Sequence, residues 1–355
     1  VSEPIVATPA EAARLGEDAA LVLEPLTEFL DAAGLGDGEL TAEPIGDGHS
    51  NLSFLLRRGE DRFVLRRPPR GDLAPSANAV LREAMVLAKL ADTKVPVPAV
   101  LATCDERAVI GAPFFVMEFV DGVAINEAPP AELGEPAAAE RVAGEMVDAL
   151  VDLHATDLEA SGLAAFGRPS GYLERQLERF GALLEHNATR PLPDLEAVAE
   201  WLAANRPESA ETTFVHGDYR LGNLMFSAAP TRLAAVLDWE MATVGDPLAD
   251  LGYTTAMWAE PGDEENPMLA LSRATRLFPF PGRDWIVDRY VAATGRSAAA
   301  LPWYQVLALW KAAIFLEGSY GRFQEGKSTD AYFGRLGDGV PAMARAALAR
   351  IEQSA

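Results

Sequence analysis

The sequence predicts a mixed α+β fold in which a small strand-rich part precedes a larger helical part. Three observations carry this. Leu52-Ser53-Phe54-Leu55-Leu56 and Phe63-Val64-Leu65-Arg66 flank Gly59-Glu60-Asp61, the pattern of two strands joined by a turn. After Asp121-Gly122 the texture changes to helix, and residues 137–155 carry Val142, Met146, Ala149, Leu150 and Leu153 at helical spacing. A short β region at 212–240 then interrupts the helices. The chain has 355 residues, enough for one large domain or two lobes.

Taken in order, residues 9–34 read as one leading helix rich in Ala, Glu and Leu, with Pro25 as a break or kink. Glu43 to Ile45 is strand-like and leads into a glycine-containing bend, Gly46-Asp47-Gly48-His49-Ser50-Asn51. The hairpin follows. Residues 76–90 read as a helix capped by Ser76, with Val80, Leu87 and Leu90 apolar. Strands at Val97 to Thr103 and Phe114 to Phe119 flank a turn near Asp105-Glu106-Arg107. The change near 121 is a candidate hinge, dividing a lobe of 1–120 from one of 121–355. Further helix is expected at 172–186, at 194–204 and through most of the chain to 354.

Composition excludes several classes. The residues are 49% hydrophobic and 23% charged, so nothing reads as a disordered tract. The formal net charge of -23 disfavours nucleic acid as a partner. Cys104 is the single cysteine and cannot form an internal disulfide; with its strand-like neighbours it reads as a buried small hydrophobe in a reducing compartment. No basic start with an apolar stretch marks a signal peptide, and no apolar run approaches the length of a membrane span. A cytoplasmic location is expected, and oligomeric state is not readable.

The chemistry concentrates in Phe214-Val215-His216-Gly217-Asp218-Tyr219-Arg220-Leu221-Gly222-Asn223-Leu224-Met225-Phe226. The order is His-x-Asp-x-x-x-x-Asn, and the apolar run Leu233 to Leu237 then ends at Asp238. Phosphoryl transfer needs these types. An Asp must orient the attacking hydroxyl and accept its proton, the role open to Asp218. An amide and a second acid, Asn223 and Asp238, must offer oxygens to Mg2+, which offsets charge on the phosphates. The bland alternative is a polar turn with a buried acid at a strand end. The apolar strand on each side of the loop favours the functional reading.

These residues, with Leu237-Asp238-Trp239-Glu240, resemble the aminoglycoside phosphotransferase superfamily of kinase-like enzymes. Gly48-His49-Ser50-Asn51, Phe63 to Pro69, Val116-Met117-Glu118 and Thr243 to Gly252 are similar to one branch, the kinase-like domains fused to some acyl-CoA dehydrogenases. The resemblance spans about residues 40 to 325. It implies a two-lobed, protein-kinase-like fold and an ATP-dependent small-molecule kinase. It also implies that Gly48, Ser50 and Asn51 cover the ATP phosphates. Arg66 would stand where protein kinases carry lysine, aimed by Glu83, with Arg67 on the other face and dispensable. Backbone groups of Glu118 to Val120 would meet the adenine edge. His216, Asp246 and Asp250 would support the catalytic loop, although Asp246 and Asp250 could equally cap a helix near Gly245. Glu240 is a weaker candidate for a second Mg2+.

The acceptor is less marked. The branch implies a hydroxyacyl-CoA or hydroxy acid; an aminoglycoside, a choline-like alcohol, a sugar and a pseudokinase without turnover stay open. A protein kinase is disfavoured, since no Asp-Phe-Gly or Ala-Pro-Glu follows Asp238. Trp303, Tyr304, Trp310, Phe315, Tyr320 and Phe323 are more readily core than pocket. Arg322 and Lys327 could form a basic patch, and Glu317 and Glu325 an acidic one.

Overall fold

The computed structural model describes residues 4–15, 18–46, 51–70, 79–209, 211–229, 231–326 and 331–354. Its contacts divide the chain into two compact units, one of Val1–Asp121 with Asp238–Glu240 and one of Gly122–Leu237 with Met241–Ala355. Ser76, Gly48, Ser50 and Lys327 lie outside the described residues.

The first unit is built on five antiparallel strands in the order Leu40–Ile45, Leu52–Arg58, Asp61–Arg67, Phe114–Glu118, Val100–Cys104. The hairpin turns at Gly59, whose φ of 57° suits a residue without a Cβ. The strand expected to begin at Val97 begins at Val100 instead. Pro96 and Pro98 lack the N–H that a ladder needs. Alternation along Asp61–Arg67 sends Phe63 and Leu65 into one core with Phe54, Leu56, Phe114, Val116 and the buried Cys104.

The expected leading helix over 9–34 is corrected. A four-residue helix, Pro9–Ala12, is closed by a capping box from Thr8 and Glu11. Ile5–Val6 then pairs in parallel with Leu21–Val22, and a second helix runs Leu23–Ala32. Pro25 falls in that helix's first turn, where its missing N–H would have no intrahelical acceptor, so it starts the helix instead of breaking it. Leu26 and Leu30 seat the helix on the sheet core.

Arg67 follows Leu65 on the core side of the sheet and is 3% exposed. Its guanidinium donates to the carbonyls of Pro68 at 3.0 Å, Ile110 at 3.2 Å, Ala19 at 3.4 Å and also Ala20. It ties three segments together, a structural role that the strand alternation did not reveal.

In the second unit the long helices are Pro136–His154, Tyr172–Asn187, Pro193–Ala204, Pro247–Met257, Arg283–Thr294, Leu301–Gln324 and Leu336–Ser354. Trp303, Tyr304 and Trp310 are core, as their helical spacing suggests. Each also places its polar tip: Trp303 donates to Leu202 O, Trp310 to Leu195 O and Tyr304 to Asp246. Gly252 lets the 247–257 helix approach the 301–324 helix, since a Cβ there would lie 2.5 Å from that of Tyr304. Two small sheets complete the unit. Leu224–Ala228 pairs with Thr231–Val236 and Val123–Ala124, and Thr213–Val215 pairs with Thr243–Gly245. No helix among the described residues is long and apolar enough to cross a membrane.

Replacing Arg67 by alanine would leave several buried carbonyls without a donor. Chemical denaturation should show Arg67→Ala destabilised by about 2–4 kcal/mol. Arg57→Ala, which removes only an exposed pair with Glu43, should stay within about 0.5 kcal/mol of wild type.

Candidate active site

The 216–223 loop is held from beneath by one buried carboxylate. Asp250, on the 247–257 helix and wholly buried, accepts the N–H of His216 at 2.7 Å and that of Gly217 at 2.7 Å. It also faces His154 Nε2 at 3.2 Å. Burial alone would raise its pKa, but hydrogen bonds from His154 and Gly217 and the two nearby imidazoles bring it below the ordinary carboxylate value. Gly217 turns at φ 86°, and a Cβ there would lie 2.9 Å from Met241 O, so both conformation and space require glycine.

His216 works inside the loop. Its Nδ1 accepts the N–H of Asp218 at 3.2 Å, which leaves Nε2–H to donate to Leu237 O at 2.8 Å. Tyr219 O accepts from Thr254, and Tyr219 OH donates to Met146 O. Leu237 N–H in turn donates to Asn223 O at 2.8 Å. The two ends of the hairpin that carries Asn223 and precedes Asp238 are thereby fastened together.

Asn223 Nδ2 donates to Asp218 Oδ2 at 2.7 Å and to Asp218 O at 2.8 Å. A carboxylate only accepts, so the amide NH2 must face it and the Asn223 Oδ1 faces away. Asp218 Oδ1 is buried and has no hydrogen-bond partner among the described residues; Arg220 Nε stands 3.7 Å off.

In the first unit a second cluster forms around Arg66. Its Nη2 donates to Asp238 Oδ1 at 2.6 Å, and its Nε lies 2.9 Å from Glu83 Oε2, a close ion pair without hydrogen-bond alignment. Glu83 Oε1 accepts the N–H of Trp239 at 3.3 Å, and Asn51 donates to Glu240 Oε2 at 2.9 Å. Asp238 has a φ of 66°, the one positive value for a non-glycine among the described residues. Left-handed backbone costs an L-residue roughly 1–2 kcal/mol, with Asp among the more tolerant. Burial pushes the Glu83 carboxyl up to about 7, opposed by Arg66 and reinforced by Asp238 and Glu240. Burial opposes the charge of Arg66, but the three acids more than offset it and raise its pKa.

Other expected site residues fall elsewhere. Of the two roles open to Asp246, loop support and helix capping, the structure shows the capping. Asp246 caps the 247–257 helix through Leu248 N–H and accepts from Ser209 and Tyr304. Glu118 ends its strand with its N–H donated to Ala99 O, so that N–H is not available to adenine, and Val120 follows in the loop. Glu317 is wholly buried against Arg190 and Thr189 and is no pocket acid. Arg322 is exposed and donates to Ser319.

Sequence reasoning missed His154 and Tyr290. His154 Nδ1 lies 2.7 Å from Tyr290 OH, so the support of Asp250 extends to the 283–294 helix. The signal was available: His154 stands four residues beyond Leu150, on the buried stripe of its helix.

Three comparisons bear on this arrangement. The phosphotransferase enzyme family matches residues 41–286. Acyl-CoA dehydrogenase family member 11 of Gallus gallus is 33% identical over 302 residues, covering 82% of this chain and 38% of that protein. Acyl-CoA dehydrogenase family member 10 of Mus musculus is 38% identical over 207 residues, covering 58% of this chain and 19% of that protein. The chain thus spans well under half the length of these relatives. Among solved structures, a Ralstonia eutropha protein designated a candidate aminoglycoside phosphotransferase has a TM-score of 0.77 at 29% identity, over 93% of this chain and 98% of that one. Aminoglycoside phosphotransferase APH(4)-Ia, in a ternary complex with AMP-PNP and hygromycin B, has a TM-score of 0.53 at 15% identity, over 91% and 97%, and shares the fold. The mixed α+β organisation is that of kinase-like phosphotransferases.

The raised carboxyl of Glu83 has a thermodynamic consequence. It binds its proton more tightly in the folded than in the unfolded chain, so the stability it lends is complete below the ordinary carboxylate range. That contribution is lost as pH climbs to about 7. Denaturation at stepped pH should show wild type losing stability relative to Glu83→Gln between about pH 4.5 and 7. Parallel profiles would remove Glu83 as the titrating group.

Proposed function

Since the chain belongs to the phosphotransferase enzyme family, we propose that it moves the γ-phosphoryl group of ATP to a hydroxyl of a small molecule. The observation that carries the reading is Asp218, with Oδ2 held by Asn223 and Oδ1 buried without a hydrogen-bond partner. Such an oxygen suits a hydroxyl proton arriving from a substrate. As the acceptor oxygen forms its bond to the γ-phosphorus, Asp218 takes that proton, and the bond to the β-bridging oxygen breaks to release ADP.

Asn223 Oδ1 and the Asp238 carboxylate would hold Mg2+. The donor set fits: one amide oxygen and one carboxylate, with phosphates and water completing the shell. No group of three or more His, Cys, Asp or Glu among the described residues forms a protein cage for a metal, as Mg2+ bound chiefly through a nucleotide would not require one. When bound, the ion neutralises charge on the β- and γ-phosphates.

Arg66 is assigned to phosphate oxygens, aimed by Glu83. Its pair with Asp238 would open when phosphate draws the guanidinium and metal draws the acid. Gly48, Ser50 and Asn51 are assigned to cover the phosphates, with Asn51 anchored through Glu240. Glu118 and Val120 are assigned to adenine through the backbone groups that strand pairing leaves. The acceptor we favour is a hydroxyacyl thioester or hydroxy acid, because the relatives are named as acyl-CoA dehydrogenases. Aminoglycosides are the second class, on the names of the structural neighbours.

Magnesium-dependent ATP consumption across hydroxyacyl-CoAs, aminoglycosides and amino alcohols tests the reading. Asp218→Ala should lose about 100-fold or more of the turnover while remaining folded and still binding ATP. Wild-type turnover in that variant would end its assignment as base, and no turnover with any acceptor would favour a nucleotide-binding module.

Asp238→Ala should act differently. ATP titration with and without magnesium should show the metal-dependent gain in affinity lost in Asp238→Ala and retained in Asp218→Ala. Equal magnesium dependence in Asp238→Ala and wild type would take Asp238 out of the metal site.

A further inference from the structure

The seam between the 172–187 and 301–324 helices holds an arrangement that the loop chemistry does not use. Phe180 is wholly buried there. Phe315 meets its ring edge-on at 5.1 Å, and Trp310 lies at 6.3 Å. Phe315 is nonetheless 41% exposed, one of few large apolar side chains left in solvent. Two cations share the same ring: Lys311 Nζ stands 4.8 Å from the Phe180 centroid and Arg179 Cζ 5.8 Å from it.

Neither cation forms an ion pair among the described residues. In a chain with 53 acids and 30 Lys and Arg, an acidic partner for each would be easy to supply. Two like charges gathered on one ring repel, and a cation–π contact offers each only about 0.5–2 kcal/mol against that. Burial and Arg179 lower the Lys311 ammonium to about 8, while Asp250 and Asp218 act in the opposite direction. The 301–324 helix that carries Lys311 packs through Tyr304 on Gly252 of the 247–257 helix, the helix whose Asp250 holds the N–H groups of His216 and Gly217.

We propose that Lys311 and Arg179, braced on the buried Phe180, form the subsite for an anionic group of the acceptor, with its apolar part lying over the exposed Phe315. The proposal rests on the assignment of Asp218 as base. It selects a hydroxyl acceptor that carries a carboxylate or phosphate on an apolar chain. An anion would relieve the repulsion between the two cations and complete their coordination, whereas a polycationic aminoglycoside would add to it. The basic patch sought at Arg322 and Lys327 is thus assigned to Lys311 and Arg179 instead.

Binding of unreactive probes separates this subsite from turnover. Isothermal titration of the full chain with octanoate, octyl phosphate and octyltrimethylammonium should show an anion binding at least tenfold more tightly than the cation. The better of the two anions identifies carboxylate or phosphate as the preferred group. Lys311→Met keeps the apolar stem and should weaken that anion at least tenfold, with Lys311→Arg restoring most of the affinity. Failure of both anions to bind wild type, or equal binding by wild type and Lys311→Met, would overturn the subsite. Lys311-dependent anion binding without ATP turnover on any hydroxylated acceptor would instead sink the phosphotransfer reading and leave the subsite standing.

Discussion

The second unit depends on a charge that never meets solvent. Asp250 accepts two consecutive backbone N–H groups, those of His216 and Gly217, and thereby sets the entry to the 216–223 loop. A buried carboxylate is tolerable only when its lone pairs are filled, and His154 completes the set from the 136–154 helix. With the loop entry fixed, His216 can bridge Asp218 N–H to Leu237 O, and Asn223 can fasten Asp218. The positions of Asp218 and Asn223 thus follow from a carboxylate that is bonded to neither side chain.

The Arg66 cluster is organised on the opposite principle. There a cation is surrounded by an excess of acids: Glu83 and Asp238 in contact, Glu240 nearby. Burial makes each charge costly, so the group is stable only as a set. The first unit thus carries a local excess of acids gathered around one buried guanidinium.

Much of this was legible from the sequence, and the limits are physical. The hairpin, the helices and the His-x-Asp-x-x-x-x-Asn loop are local patterns, written in alternation, periodicity and spacing. The alternation also put Arg66 and Arg67 on opposite faces. It could not say that the far face is a dry core in which Arg67 also satisfies three distant carbonyls, because those come from segments about 45 residues away. Pro25 was misread for a related reason: a proline that stops a helix and one that opens it differ only in which residues precede it. Asp246 stood open between supporting the loop and capping a helix, since both roles use the same acid beside Gly245-Asp246-Pro247, and it caps its own helix. The Lys311 seam had no local signature at all. It exists only because two helices separated by more than a hundred residues bring Phe180 and Phe315 together.

The three residues Asp238–Glu240 group with the first unit although the chain on both sides of them groups with the second. That interleaving bears on how the protein could be dissected. A fragment ending at Asp121 would contain every strand of the five-stranded sheet, yet it would lack the Asp238 carboxylate that meets Arg66 and the Trp239 N–H that meets Glu83. Its buried ion pair would face a gap on one side. The remainder of the chain would carry Asp238–Glu240, with its left-handed aspartate, but not the Arg66, Glu83 and Asn51 side chains that meet it. Cutting at the change of texture would separate the sheet from the helices in sequence while leaving neither piece whole.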